Sequence, residues 1–185
     1  MFLIISCILV IKYNKLHILY KIMQKEGIFI KKQKLTNLFI FIIGTELIGA
    51  LSGIVSGKNF KTFYQSLNQP PFAPPGWLFP VAWGILYALM GISIYLISEA
   101  KHANKKIAFG IYVAQLFVNF LWSPVFFRCN SLIGATVIIF ILDILIIIML
   151  IYFWKIRKSA ALLNLPYFLW AAFATYLTVG FLVLN

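Results

Sequence analysis

Five long apolar runs dominate the chain, separated by short polar clusters. They extend from Leu38 to Val55, Leu78 to Ile97, Ile107 to Phe127, Leu132 to Trp154 and Leu162 to Leu184, and each contains at most one charged residue. An α-helix needs about 20 such residues to cross the hydrocarbon of a bilayer, so the pattern predicts five membrane-spanning helices. Within the runs the exceptional positions recur with helical spacing. Phe79, Trp83, Tyr87 and Gly91 form one stripe on the second run, with Gly84 and Ala88 on another face. Gln115, Asn119 and Ser123 fall at i, i+4 and i+8 on the third, beside Trp122. A polar stripe this regular belongs inside a bundle, as interhelical hydrogen bonds or as polar contacts to a ligand. Gly49, Gly53 and Gly57, with Ser52 and Ser56 alongside, make a small-residue face of the kind that lets helices approach closely. Trp170, Ala174 and Thr178 leave a notch beside one indole on the fifth run.

Between the first two runs lies the longest loop of the core. Pro70, Pro71, Pro74 and Pro75 lack amide donors and bias the residue before each away from helical angles. A stiff segment therefore delivers the chain into the aromatic stripe of the second span. Spans three and four are separated only by Arg128, Cys129 and Asn130, which makes them antiparallel neighbours. Pro166 sits in the first turn of the fifth span, where proline is tolerated. Residues 1–36 stand apart from residues 37–185. Met1 to Ile11 is apolar but too short to span, has no basic start and is followed by Lys12, Lys15, Lys21 and Lys25. The expectation is an interfacial or disordered extension, with Met23 as an alternative native start.

Composition sharpens this picture. Of 185 residues 63% are hydrophobic and 11% charged, with mean hydropathy +0.97. A soluble domain needs a far more polar surface, so the fold class is an all-α membrane protein, a five-transmembrane-helix bundle. The net charge of +12 sits in clusters between the apolar runs. Membrane topology accounts for these clusters, and nucleic acid is not expected as a partner. Lys31, Lys32, Lys34, Lys101, Lys105, Lys106, Lys155, Arg157 and Lys158 gather on the side of the first span's N-terminus, against Lys58, Lys61 and Arg128 on the other. In a bacterial plasma membrane that bias places the N-terminus in the cytoplasm and the C-terminus outside. Glu46 and Asp143 fall at membrane depth, where a carboxylate must face other helices or be protonated. Cys7 and Cys129 share no CxxC spacing, and His17 and His102 lie in lysine-containing, polar surroundings, so neither a metal site nor a disulfide framework is expected.

The motifs then become specific. Phe63-Tyr64-x-x-Leu67-x-x-Pro70-x-Phe72-x-Pro74-Pro75-Gly76-Trp77 is followed by Trp83-x-x-Leu86-Tyr87-x-x-x-Gly91. Further along stand Gln115-Leu-x-x-Asn119-x-x-Trp122-Ser123-Pro124 and Pro166-Tyr167-x-x-Trp170-x-x-Phe173-Ala174-Thr175. In this order they strongly resemble the TspO/MBR family, the tryptophan-rich sensory proteins and mitochondrial translocator proteins, over about residues 37–185. The resemblance implies a five-helix bundle, often a homodimer, that binds porphyrins and related tetrapyrroles in a pocket under the first loop. It places Tyr64, Pro74, Trp83, Tyr87, Asn119, Trp122, Ser123, Asp143, Trp170 and Ala174 in that pocket, with Phe79 on the stripe of Trp83.

A porphyrin needs aromatic planes, an apolar slot and a few orienting polar groups. It is the expected ligand, and no cofactor is required. If the protein degrades porphyrin in light and oxygen, Trp83 and Trp170 are the expected redox partners; transport of tetrapyrroles is the third reading. The chain departs from the family where Phe63 and Phe72 replace the usual loop tryptophans, which keeps stacking without indole chemistry. It also ends at Asn185 without the basic residue of a sterol motif, which argues against sterol binding.

Overall fold

The computed structural model describes residues 32–57 and 60–185. Residues 1–31, which hold the expected internal start and most of the expected 1–36 extension, lie outside the described residues; residues 32–36 begin the first helix. From Asn37 onward the chain forms one unit. Its helices are α1 (Lys32–Ser56), α2 (Phe60–Ser66), α3 (Leu78–Glu99), α4 (Lys105–Phe127), α5 (Leu132–Ile156), α6 (Lys158–Leu163) and α7 (Leu165–Leu184). Five segments, α1, α3, α4, α5 and α6–α7 together, are long and apolar enough to cross a membrane. The protein is an all-α, five-span bundle.

Local chemistry explains the boundaries. Gly57 adopts φ 84°, a left-handed conformation that stops α1, and its amide reaches back to the Ile54 carbonyl at 3.2 Å. The Ser131 hydroxyl caps α5 by accepting from the Gly134 amide at 3.1 Å. Asn130 before it takes φ 51°, which suits the asparagine better than most side chains. The fifth span is broken where the apolar pattern alone reads as continuous. Arg157 is extended, α6 makes under two turns, and the buried Asn164 separates it from α7. The Asn164 amide donates to the Ser93 hydroxyl and to the Ala160 carbonyl, so the break is tied to α3 by hydrogen bonds. Pro166 stands in the first turn of α7, as expected.

The segment read as loop holds a short helix, α2. Its residues precede the prolines, and it buries Tyr64 in the bundle. The proline segment itself turns at Pro70–Ala73, closed by Ala73 N–H to the Pro70 carbonyl at 3.2 Å. Pro71 and Phe72 are the central pair, and Phe72 takes φ 62°, the geometry of a type II turn that ordinarily prefers glycine there. That turn throws the Phe72 ring outward to 88% exposure. Of the two loop phenylalanines only Phe63 stacks inside, edge-on to Phe126 at 5.8 Å.

The first span packs differently from the others. Its buried residues among those described are Leu38, Thr45, Ser52 and Ser56, and the last three carry hydroxyls. Each bonds across or along the face toward α4: Thr45 Oγ1 with Tyr112 Oη at 2.8 Å, Ser52 Oγ to the Phe120 carbonyl at 2.8 Å, and Ser56 Oγ to Ser123 Oγ at 2.8 Å. Toward α3 the contact is made by glycines. A Cβ on Gly91 would lie 2.6 Å from the Ile42 Cα, and one on Gly49 would overlap the Tyr87 ring. Beyond Gly49 the helices separate: a Cβ on Gly53 of α1 or on Gly84 of α3 would meet nothing within 4 Å. The glycine stripe therefore divides, one member for contact and the next for space.

Gly91→Ala is expected to lower the thermal midpoint in detergent, at a cost of about 1–3 kcal/mol from overpacking against the Ile42 backbone. Gly84→Ala, in open space, is expected to hold or raise it, by up to roughly 1 kcal/mol from helix propensity. Equal shifts in the two variants would contradict the contact assigned to Gly91.

Candidate ligand cavity

The divergence of α1 from α3 creates the main cavity, of about 440 Å³. Phe79, Trp83, Tyr87, Trp122 and Phe127 form its aromatic walls, with Ile139 and Leu142 of α5 at the back. Its polar positions are Glu46, Ser52, Ser56, Asn119 and Ser123. The rim includes the exposed Ala50, Gly53 and Pro80, so the cavity opens sideways at the α1–α3 seam.

Helix geometry sets these side chains in place. Phe79, Trp83 and Tyr87 climb one face of α3 at four-residue steps, and the Trp83 ring stacks on Tyr87 with centroids 5.5 Å apart. Asn119, Trp122 and Ser123 come from adjoining turns of α4. Tyr87 Oη donates to Asn119 Oδ1 at 2.6 Å, Asn119 Nδ2 to Tyr167 Oη at 3.0 Å, and Tyr167 Oη to Gln115 Oε1 at 2.8 Å. The polar stripe of the third span thus holds α3, α4 and α7 together at the bundle centre while one end of it borders the cavity. The Trp122 indole N–H is buried without a hydrogen-bond partner, a donor left over in a cavity wall.

The expected site residues fall in two places. Phe79, Trp83, Tyr87, Asn119, Trp122 and Ser123 line the main cavity. Tyr64, Pro74, Trp170 and Ala174 belong to, or adjoin, an aromatic cluster beneath the proline loop that shares a wall with the cavity. There Tyr64 meets Phe79 at 5.5 Å and Phe181 at 5.6 Å, and Trp170 meets Phe79 at 6.1 Å. The space left in this cluster is about 10 Å³, so side chains fill it. Phe79, Trp122 and Phe127 stand in both groups, and Phe79 is the cavity ring that meets Trp170. Asp143 lies among the lining of neither; its Oδ2 accepts from Thr175 Oγ1 at 2.7 Å on the α5–α7 seam. The cavity residues outside the expected site are Glu46, Gly49, Ala50, Ser52, Gly53 and Ser56 of α1, with Pro80, Gly84, Phe127, Ile139 and Leu142 of the other helices. For the small residues of α1 the signal was present in their spacing, but spacing does not distinguish a glycine that touches a helix from one that faces a void.

The loop is fastened over the filled cluster. Tyr64 Oη donates to the Pro74 carbonyl at 2.7 Å, and burial pushes that phenol's pKa up, so it stays a neutral donor. Tyr176 Oη donates to the Pro71 carbonyl at 2.9 Å. Asn68 N–H donates to Asn185 Oδ1 at 2.8 Å, and Asn185 Nδ2 returns a bond to the Asn68 carbonyl at 3.1 Å. Pro70 seats on Gly180, where a Cβ would come within 2.7 Å of the ring.

This arrangement of loop, aromatic stripe and polar third span matches the TspO/MBR family over residues 41–184. The chain belongs to the TspO/MBR family. It is 35% identical over 144 residues to the tryptophan-rich protein TspO of Archaeoglobus fulgidus, covering 78% of this chain and 94% of that protein. It is 32% identical to protein CrtK of Rhodobacter capsulatus, covering 82% and 94%. The translocator protein of Bos taurus is 31% identical over 71% of this chain and 82% of its own length. Family membership and five apolar spans make this TspO-family chain an integral membrane protein.

Replacing Asn119 by Leu leaves the Tyr87 and Tyr167 hydroxyls without their shared partner in the bundle centre. The expected loss of stability is about 1–3 kcal/mol, read as a lower thermal midpoint. Thr178→Val, which removes only a bond to its own helix at the Ala174 carbonyl, is expected to change it little.

Proposed function

We propose that the side-opening cavity binds a tetrapyrrole of the protoporphyrin type and that the protein senses or buffers it from within the membrane. The observation that carries this reading is the wall of five aromatic rings around a cavity open at the α1–α3 seam. A planar macrocycle entering edge-first meets Trp83 and Trp122 with ring faces and edges, the contacts flat π-systems favour. Asn119, Ser123 and the unpaired Trp122 N–H offer orienting polar contacts. An ionised propionate loses its hydration inside so apolar a wall, so the propionates belong at the mouth. A cation near that end is Arg128, whose guanidinium lies 3.4 Å from the Val55 carbonyl at the close of α1. The excess of basic residues on the opposite side supports a cytoplasmic N-terminus, which puts this mouth toward the outer leaflet of a bacterial plasma membrane.

Titration of the purified protein with protoporphyrin tests the reading through tryptophan fluorescence. Saturable quenching is expected, weakened roughly tenfold by Trp83→Ala, as loss of one stacking plane implies, and abolished by Gly53→Leu, which fills the open space. Trp170→Phe, one ring removed from the cavity, is expected to have the smaller effect. Arg128→Gln should weaken protoporphyrin but not its dimethyl ester. Curves that superimpose for wild type, Trp83→Ala and Gly53→Leu would remove the cavity from consideration. Illumination of the same samples separates plain binding from degradation: porphyrin loss beyond that in protein-free detergent would add a catalytic step.

A further inference from the structure

At the opposite end of the bundle from the proline loop lies a second concavity, of about 310 Å³, between the last turns of α5 and the α6–α7 break. Leu150, Ile151, Trp154, Ala161, Leu162 and Leu165 line it, with Lys155 at its edge. Its existence follows from the break described above. The extended Arg157 swings α6 away from the axis of α5, and Ala160–Ala161 are held down on α3 because Ser93 Oγ donates to the Ala160 carbonyl at 2.8 Å. A fixed floor and a diverging wall leave an apolar slot facing the bilayer.

The rim of the slot is cationic. Lys158 Nζ lies 5.5 Å from the Trp154 ring centroid, and Lys155 Nζ lies 5.9 Å from that of Tyr152. Both ammoniums are thus held over aromatic rings rather than against carboxylates. Around them the ends of α3, α4, α5 and α6 carry Lys101, Lys105, Lys106, Lys155, Arg157 and Lys158. Among the described residues Glu99 is the one carboxylate at this end. Trp154 and Tyr152 sit at the depth where amphipathic rings mark the membrane interface. An occupant must be apolar along roughly 6 Å of the α5 axis, from Leu150 to Trp154, and anionic where it emerges.

We propose that this slot is a binding site for an anionic phospholipid, with an acyl chain against Leu150, Ile151 and Leu162 and the phosphate held by Lys155 and Lys158. Basic pockets between helices at a membrane interface recognise such headgroups through the same combination of charge and adjoining apolar surface. The site is separate from the aromatic cavity and does not depend on what that cavity binds. Occupancy would brace the α5–α6 junction, because the lipid bridges Lys155 on one helix and Lys158 on the other.

The test uses the full chain in nanodiscs or mixed micelles, with thermal unfolding and native mass spectrometry as readouts. Phosphatidylglycerol is expected to raise the midpoint and to remain bound where phosphatidylcholine does not. Lys155→Gln with Lys158→Gln should reduce phosphatidylglycerol retention about tenfold, and Ala161→Phe, which fills the slot, should do the same with both lysines in place. The control Lys101→Gln with Lys106→Gln should retain the lipid. Three results would overturn the proposal: equal retention of the two lipids, an equal loss in the control variant, which would mean diffuse attraction to the surface, or inorganic phosphate reproducing the whole shift. A cross-link from Trp154→Cys to a second copy that excludes phosphatidylglycerol would overturn it too, by giving the slot to a protein.

Discussion

Hydroxyl hydrogen bonds from the first span decide the shape of this bundle. In a bilayer, lipid tails are as apolar as leucine, so burying a side chain against another helix gains little over leaving it in lipid. What holds a helix in place is close backbone approach and polar pairing. Helix α1 has both, on different faces. Thr45, Ser52 and Ser56 fix it to α4, while Gly91 against Ile42 and Gly49 against Tyr87 let it touch α3 only as far as Gly49. Because the hydroxyl ladder continues past Gly49 and the α3 contact does not, α1 leans with α4 and departs from α3. The cavity is the wedge between those two constraints.

The proline loop works against a different background. Tyr64 of α2 and Tyr176 of α7 donate to its backbone carbonyls, Asn68 and Asn185 exchange hydrogen bonds, and Pro70 seats on Gly180 near the end of α7. Its underside is already occupied by Tyr64, Phe79, Phe126 and Phe181 in edge-to-face contact. Prolines restrict the unfolded loop as well as the folded one, so little ordering is needed to keep this roof closed. The stiff lid thereby closes the end of the bundle and leaves the flank as the route inward.

The fold was readable from the sequence because each span is a run of apolar residues of bilayer length, and lipid leaves no alternative to a helix there. The aromatic stripe of Phe79, Trp83 and Tyr87 and the polar stripe of Gln115, Asn119 and Ser123 were readable for the same reason: period fixes face. Distance between faces is not a periodic property. Gly49 and Gly53 look identical in sequence, yet one is pressed by Tyr87 and the other opens on space. Trp83 and Trp170 can be read as rings on facing helices, but only packing shows that Trp83 lines the cavity while Trp170 lies against Phe79 outside its lining. The break at Asn164 escaped the pattern because both halves are apolar; its cause is a side-chain amide bonded to a residue on another helix.

A cavity that opens into lipid changes what its residues must do. A flat apolar molecule gains its hydrophobic free energy on entering the bilayer, before it meets the protein. Moving sideways between α1 and α3 adds little of that term, so aromatic surface alone gives weak discrimination among membrane solutes. Discrimination must come from groups the lipid tails lack: Asn119, Ser123, the Trp122 N–H and the Glu46 carboxylate. Each acts where competing water is scarce, and an unmatched polar group there costs more than at a soluble surface. For a ligand of the proposed kind, preference would therefore rest on the few polar atoms of the wall, with the rings setting chiefly its shape and orientation.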